Sequence, residues 1–147
     1  LVCKLVSTGK CENGVYSAYV QPTLFPQGAP ESAVPSNYNL ITLVGQFSER
    51  MSFYGQGAGR YPTAYNVVQD CVDLLHDTGF YCEHGQKVAA VNNDRLCYYV
   101  RGEEDAWLTA NTAEHWGNAV VTKPVSVKEM HAWLANHPGA FIAALEN

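Results

Sequence analysis

The chain has 147 residues, of which 47% are hydrophobic and 16% charged, with a formal net charge of −5. Such a composition suits one packed domain or a large piece of one, and it excludes a disordered chain. No basic run of the kind that follows a nucleic-acid backbone is present, and no apolar stretch reaches the ~18 residues of a membrane span.

The opening LVCKLVS is short and apolar and reads as a strand. It has no initiator Met and no charged leader ahead of a long apolar core. The chain is therefore expected to begin in mid-strand, as a fragment or processed product. GVYSAYVQPTLF, rich in Val and Tyr, is a second strand, and Asn13-Gly14 marks a hairpin turn between the two. Residues 26–35, PQGAPESAVP, are irregular with room for one helical turn. NLITLVG and RMSFYG are two more strands around a loop at residues 46–49. Next comes YGQGAGRYPTA, with glycines at 55, 57 and 59. Ala64, Val67, Val68, Cys71 and Leu75 then repeat as one face of a helix, with Pro62 in its first turn and Thr78-Gly79 at its end. Beyond it, KVAAV and LCYYVRG read as strands, EDAWLTANTAEHWG as a short helix and NAVVTKP as a strand. SVKEMHAWLANH reads as a helix opened by a Ser126/Glu129 capping box, and AFIAAL as a closing strand. The fold class is α+β: a mostly antiparallel or mixed sheet backed by helices, with a small α/β C-terminal tail. The boundary is expected near residues 80–93, giving a front region 1–80 and an extension 81–147.

The glycine segment is the candidate site. Glycine permits positive φ and a close approach to the backbone, and the helix that follows offers free N–H groups and a partial positive charge. That combination suits a phosphate, a carboxylate or a carboxamide, with Arg60 as an added cation. Neither the P-loop pattern nor the dinucleotide G-x-G-x-x-G is met, because no Lys follows the glycines and Arg60 stands where the third glycine would fall. The bland alternative is a tight strand-to-helix corner.

FYGQGAGRYPTAYNVVQD resembles the signature near the end of the catalytic region of homoserine dehydrogenase. Gly55, Gly57, Ala58, Gly59, Thr63, Ala64, Val67, Val68 and Asp70 match it. Upstream, Val20, Pro22, Pro30, Val34 and Asn39 match in order and spacing, so the resemblance covers about residues 1–75. It implies an oxidoreductase that interconverts L-homoserine and L-aspartate 4-semialdehyde with NADP or NAD, on the route to threonine, methionine and isoleucine. It further implies cytoplasmic homo-oligomers and an α+β substrate-binding and dimerisation region. Cofactor contacts are implied at Gly57, Gly59, Arg60 and Thr63, with Gly59 meeting the nicotinamide cofactor through its backbone. The family's nucleotide-binding domain, catalytic lysine and substrate-binding acidic residues all precede the strand that here begins at Leu1. Lys4 and Lys10 do not match the catalytic lysine. No catalytic residue is expected in this chain, which alone should be inactive. A non-catalytic small-molecule-binding, regulatory or oligomerisation module derived from that region is the alternative. In the tail, Tyr98 and Tyr99 begin like the family's ACT regulatory domain, but the D-x-P-G that should follow is missing. A plain extension packed on the sheet is the expectation, and a reduced ACT-like piece the alternative.

Other residues invite weaker readings. The five cysteines (Cys3, Cys11, Cys71, Cys82 and Cys97) are odd in number and irregularly spaced, which favours a reduced, cytoplasmic chain. Cys71, His76, Cys82 and His84 match no common zinc spacing, and Cys71 lies on the apolar helix face, so no metal is expected. Asp70 and Asp73 read as structural carboxylates. His115, His131 and His137 have no nucleophile nearby in sequence. Trp107, Trp116 and Trp133 concentrate aromatic surface in the tail for a second core or an interface.

Overall fold

The computed structural model describes residues 1–78, 85 and 88–146. They fall into two compact units, Leu1–Ser32 with Lys87–Asn147, and Ala33–Gln86. The first unit opens with β1 (Val2–Glu12) and β2 (Val15–Phe25), an antiparallel hairpin in register from Val2↔Phe25 to Glu12↔Val15. Asn13 (φ 52) and Gly14 (φ 77) make the turn that an Asn-Gly pair favours, both residues lying in the left-handed region. A single 3₁₀ turn, Pro30–Ala33, follows β2.

The second unit holds a hairpin of β3 (Tyr38–Gly45) and β4 (Glu49–Gln56), in register from Tyr38↔Gln56 to Gly45↔Glu49, followed by α1 (Arg60–Leu75). The helix ends at its C-cap His76, and Gly79 lies outside the described residues. The expected apolar face of α1 is present, but α1 has no buried residue. Cys71, expected in the core, is exposed.

In the first unit the chain resumes with β5 (Arg95–Leu96), β6 (Tyr98–Arg101), α2 (Ala106–Asn111), β7 (Thr112–Trp116), β8 (Ala119–Thr122), β9 (Val125–Ser126), α3 (Val127–Ala135) and β10 (Phe141–Leu145). The expected KVAAV strand lies partly outside the described residues. Within them it contributes one bridge, Ala90 to Tyr16. EDAWLTANTAEHWG is not one helix. It gives α2 and then turns into β7, which pairs antiparallel with β8 through Gly117 (φ 64). A glycine with positive φ is what a two-residue hairpin turn asks for, and β-branched Thr112 starts the strand.

The main sheet has six strands in the order β1-β2-β10-β6-β8-β7. Its β6-α2-β7-β8-α3-β10 part has the βαββαβ connectivity of a ferredoxin-like unit, all its pairs antiparallel. The front hairpin extends that sheet through a short parallel pairing of β2 with β10, Thr23↔Ala144 and Leu24↔Leu145. On one side of the sheet Tyr98, Val100, Val120, Ile142 and Ala144 pack with Leu108 of α2 and with Met130 and Trp133 of α3. Trp107 stacks on Trp133 at 6.3 Å, so these two tryptophans belong to the core. The Ser126/Glu129 capping box forms as expected: Ser126 N donates to Glu129 Oε2 (3.0 Å) and Glu129 N donates to Ser126 Oγ (3.1 Å). Asp105 caps α2 by accepting from Leu108 N at 2.7 Å.

Candidate functional site: the glycine corner of the second unit

The corner between β4 and α1 is held by two asparagines from the start of the partner strand. Gly57 N donates to Asn37 O at 2.9 Å, and Asn37 Nδ2 donates to Ala58 O at 2.6 Å. Asn39, two residues on, directs its carboxamide at Gly57, where an added Cβ would collide with it. Gly59 is the N-cap of α1 at φ 122, a conformation that side-chain-bearing residues rarely adopt. A Cβ there would also come within 3.3 Å of Asn37 Nδ2. Gly59 is therefore required by the corner's backbone, whereas a side chain at Gly57 needs only the Asn39 carboxamide to move. Gly55 is under neither constraint, because a Cβ there meets open space.

The corner leaves donors available. No side chain caps α1, and its first amide bond runs from Thr63 N to Gly59 O at 3.0 Å. The amides of Arg60 and Tyr61 precede that bond, and Pro62 has none to offer, so the positive end of the helix faces outward with two N–H groups. Arg60 donates from Nη2 to the Tyr61 hydroxyl at 2.8 Å, and its guanidinium lies 4.7 Å from that ring's centre. All four expected contact residues, Gly57, Gly59, Arg60 and Thr63, thus meet in one exposed loop and first helical turn. Such a surface can hold a phosphate, carboxylate or carboxamide by backbone donors and one cation. It cannot supply a lysine, since residues 33–86 contain none. Asn37 was not legible as a site residue. The available signal was its i, i+2 spacing to Asn39, which places both on one side of the strand entry.

The remaining candidates separate. Asp70 is exposed and Asp73 accepts from Gln69 Nε2 at 2.9 Å, as structural carboxylates do. Cys82 and His84 lie outside the described residues, and among the described residues no group of three or more His, Cys, Asp or Glu could hold a metal. His115 lies 3.8 Å from Glu104. His137 stacks on Trp133 at 4.1 Å and approaches Asp105 at 3.5 Å. Hydrogen bonds from Leu108 N and Trp133 Nε1, with His137 nearby, hold the Asp105 carboxyl below its usual range. His131 Nε2 bonds Gln21 Oε1 at 3.0 Å, and the same oxygen accepts from Tyr98 Oη at 3.2 Å. Burial pushes the Tyr98 phenol up to about 12, although the Gln21 bond pulls the other way. No helix among the described residues is long and apolar enough to cross a membrane.

This is an α+β scaffold whose exposed, glycine-hinged helix N-terminus offers backbone donors to a polar ligand. The homoserine dehydrogenase family model matches residues 1–72, just under half of the chain. The homoserine dehydrogenase of Bacillus subtilis (strain 168) is 38% identical over 72 residues, covering 49% of this chain and 17% of that protein. That of Corynebacterium glutamicum is 40% identical over 65 residues, 44% of this chain and 15% of that protein. The matched stretch therefore spans under a fifth of these relatives. In fold the likeness extends further. A homoserine dehydrogenase from Thiobacillus denitrificans aligns over 99% of this chain and 42% of its own, with a TM-score of 0.67 at 21% identity. The Staphylococcus aureus homoserine dehydrogenase at pH 6.0 gives 0.55 at 22% identity, over 99% of this chain and 42% of its own. The likeness in fold thus extends over the tail, beyond the residues that the family model matches.

Proposed function

We propose that this chain is part of an NAD(P)(H)-dependent oxidoreductase of the cytoplasm that interconverts L-homoserine and L-aspartate 4-semialdehyde, on the route to threonine, methionine and isoleucine. The observation that carries the reading is the Gly59 N-cap at φ 122 inside the family-matched segment, beside free amides on an exposed helix end. On this reading Gly57, Gly59, Arg60 and Thr63 meet the polar end of the cofactor, and the gap above Gly55 admits it. The bound cofactor supplies hydride transfer, and this chain's share is to bind and orient. The corner fits the polar end of such a group but offers no full dinucleotide cradle.

Proton transfer at the alcohol needs a positioned acid–base group. On this reading that group is a lysine, which residues 33–86 do not contain, and the 147 residues alone are expected to be inactive. Residues 1–80 act as the substrate-binding and dimerisation region of a homo-oligomer, and residues 81–147 as an extension. The βαββαβ connectivity within that extension supports an ACT-like regulatory unit. A second reading, a non-catalytic binding or oligomerisation module, is favoured by the single sheet that the front hairpin shares with the tail.

The test is NADP⁺- and NAD⁺-dependent oxidation of L-homoserine by the complete reading frame, beside Gly59→Val. A branched side chain at φ 122 should abolish turnover. A folded parent without turnover favours the module instead.

A further inference from the structure

The sheet of the first unit has two faces, and α2 and α3 cover only one. Cross-strand partners share a face. Tyr99 pairs with both Ala143 and Val121, and Arg101 pairs with Phe141. These residues, with Trp116 at the edge, therefore point away from the helices. There they form a recess of about 410 Å³ lined by Leu1, Leu24, Tyr99, Arg101, Trp116 and Phe141. Ala143 and Val121, on the same face, are buried, at 0% and 5% exposed.

The walls have a specific arrangement. Tyr99 lies 6.5 Å from Trp116 and 6.3 Å, edge-on, from Phe141. Arg101 is exposed, its guanidinium 6.0 Å from the Phe141 ring, and among the described residues it has no carboxylate partner. A recess of this size falls within the range of small-molecule sites, which combine apolar lining with a few fixed polar groups. A guanidinium beside a ring presents a flat fork of donors that pairs two oxygens of one anion, and a single such cation among apolar walls matches the single charge of a carboxylate.

From this charge and shape we infer that the open face of the sheet is a binding site for a monocarboxylate with a flat apolar body. The carboxylate lies against Arg101, and the body among Tyr99, Trp116 and Phe141. The site belongs to the first unit and does not depend on the glycine corner or on the proposed oxidoreductase activity.

The probe is 3-phenylpropionate, titrated into the full 147-residue chain with tryptophan fluorescence and calorimetry as readouts. Trp116, 42% exposed, lines the recess and is the responsive indole, since Trp133, 6% exposed, and Trp107, stacked on it, pack in the core. Saturable one-to-one binding with a change in Trp fluorescence is expected. 3-Phenylpropanamide, which keeps the shape and loses the charge, should bind at least ~10-fold more weakly, as expected for a lost charge-assisted hydrogen bond. Arg101→Gln should weaken the acid by a similar factor and leave the amide unchanged, and Trp116→Ala should weaken both. The acid–amide comparison needs no variant, so it decides the question even if a substitution disturbs folding. No saturable binding overturns the inference, and so does equal affinity for acid and amide, which would mean a merely sticky apolar surface. Sedimentation showing a dimer that buries Trp116 and excludes the acid would overturn it in favour of a second copy on this face.

Discussion

Two helices with similar amphipathic patterns meet opposite fates in this molecule. In α3, Val127, Met130 and Trp133 are buried against the sheet. In α1, nearly twice as long, Val67, Val68 and Leu75 are 57%, 63% and 85% exposed. The same contrast holds for the units around them. The first has a contiguous core, whereas no described residue between 33 and 78 is buried. The segment that carries the family signature is thus the one that stabilises itself least. An apolar stripe records that a surface is to be covered, not that the covering atoms lie in the same stretch of chain. If the chain is part of a dehydrogenase as proposed, the remainder of that enzyme covers α1.

The largest expected effect tests this contrast directly. Leu108 is 1% exposed in the first unit's core, and Leu108→Ala should cost about 2–5 kcal/mol in urea unfolding of the 147-residue chain. Val68→Ala should stay within about 0.5 kcal/mol, since it removes methyl groups already in water. Equal losses would mean that α1 is buried in solution and would break the comparison. In the complete enzyme Val68→Ala should become costly, which would sharpen it.

A smaller effect is expected at the glycine corner, where the three glycines differ in what they answer to. Gly57→Ala drives a methyl into the Asn39 carboxamide, so that side chain must swing away. We expect a loss of about 1 kcal/mol, read as faster hydrogen exchange at the residue 57 amide, which donates to Asn37 O. Adding Asn39→Ala should restore most of it, the signature of coupled neighbours. Gly55→Ala should leave exchange unchanged, because nothing in the chain stands near its Cβ. If Gly55→Ala nevertheless impairs the complete enzyme, something outside this chain approaches the backbone there.

Legibility followed the range of the interactions. Local chemistry read well: Asn13-Gly14 turned the first hairpin, and the Ser126/Glu129 box opened α3. The strand-to-helix corner at the glycines was also legible, because strand, glycines and helix are consecutive. Asn37 was missed, since its role depends on a hairpin that brings residue 37 back to residue 58. The parallel docking of β2 on β10 joins residues about 120 positions apart through two register pairs and leaves no periodic trace. In EDAWLTANTAEHWG the helical spacing is genuine through Asn111. Pairing with β8 then overrides it, a tertiary effect that local propensity does not contain.

The smallest predicted effect concerns the polar link between the two halves of the first unit. Gln21 of β2 accepts from both Tyr98 Oη and the His131 ring, so a front-hairpin residue is tied to the tail's core. Burial disfavours the charged imidazole and holds the His131 pKa below its ordinary 6.5. The unfolded chain therefore takes up this proton at a higher pH than the folded one. The stabilisation is complete above the ordinary value and is lost as pH falls through the lowered one. Asp94, Asp105 and Glu129 are also held low, chiefly by hydrogen bonds from Ser17, Leu108 N and Ser126, but as carboxylates they lose their contributions only in stronger acid. The two windows are separable. Between about pH 7.5 and about pH 5.5, where histidine is the group that titrates, the urea midpoint of the parent should decline. The decline should flatten in His131→Gln, which keeps a donor for Gln21 without the titration. An unchanged slope in that variant would show that His131 is as well solvated as the residues of α1, and the contrast between the units would then stop at their apolar surfaces.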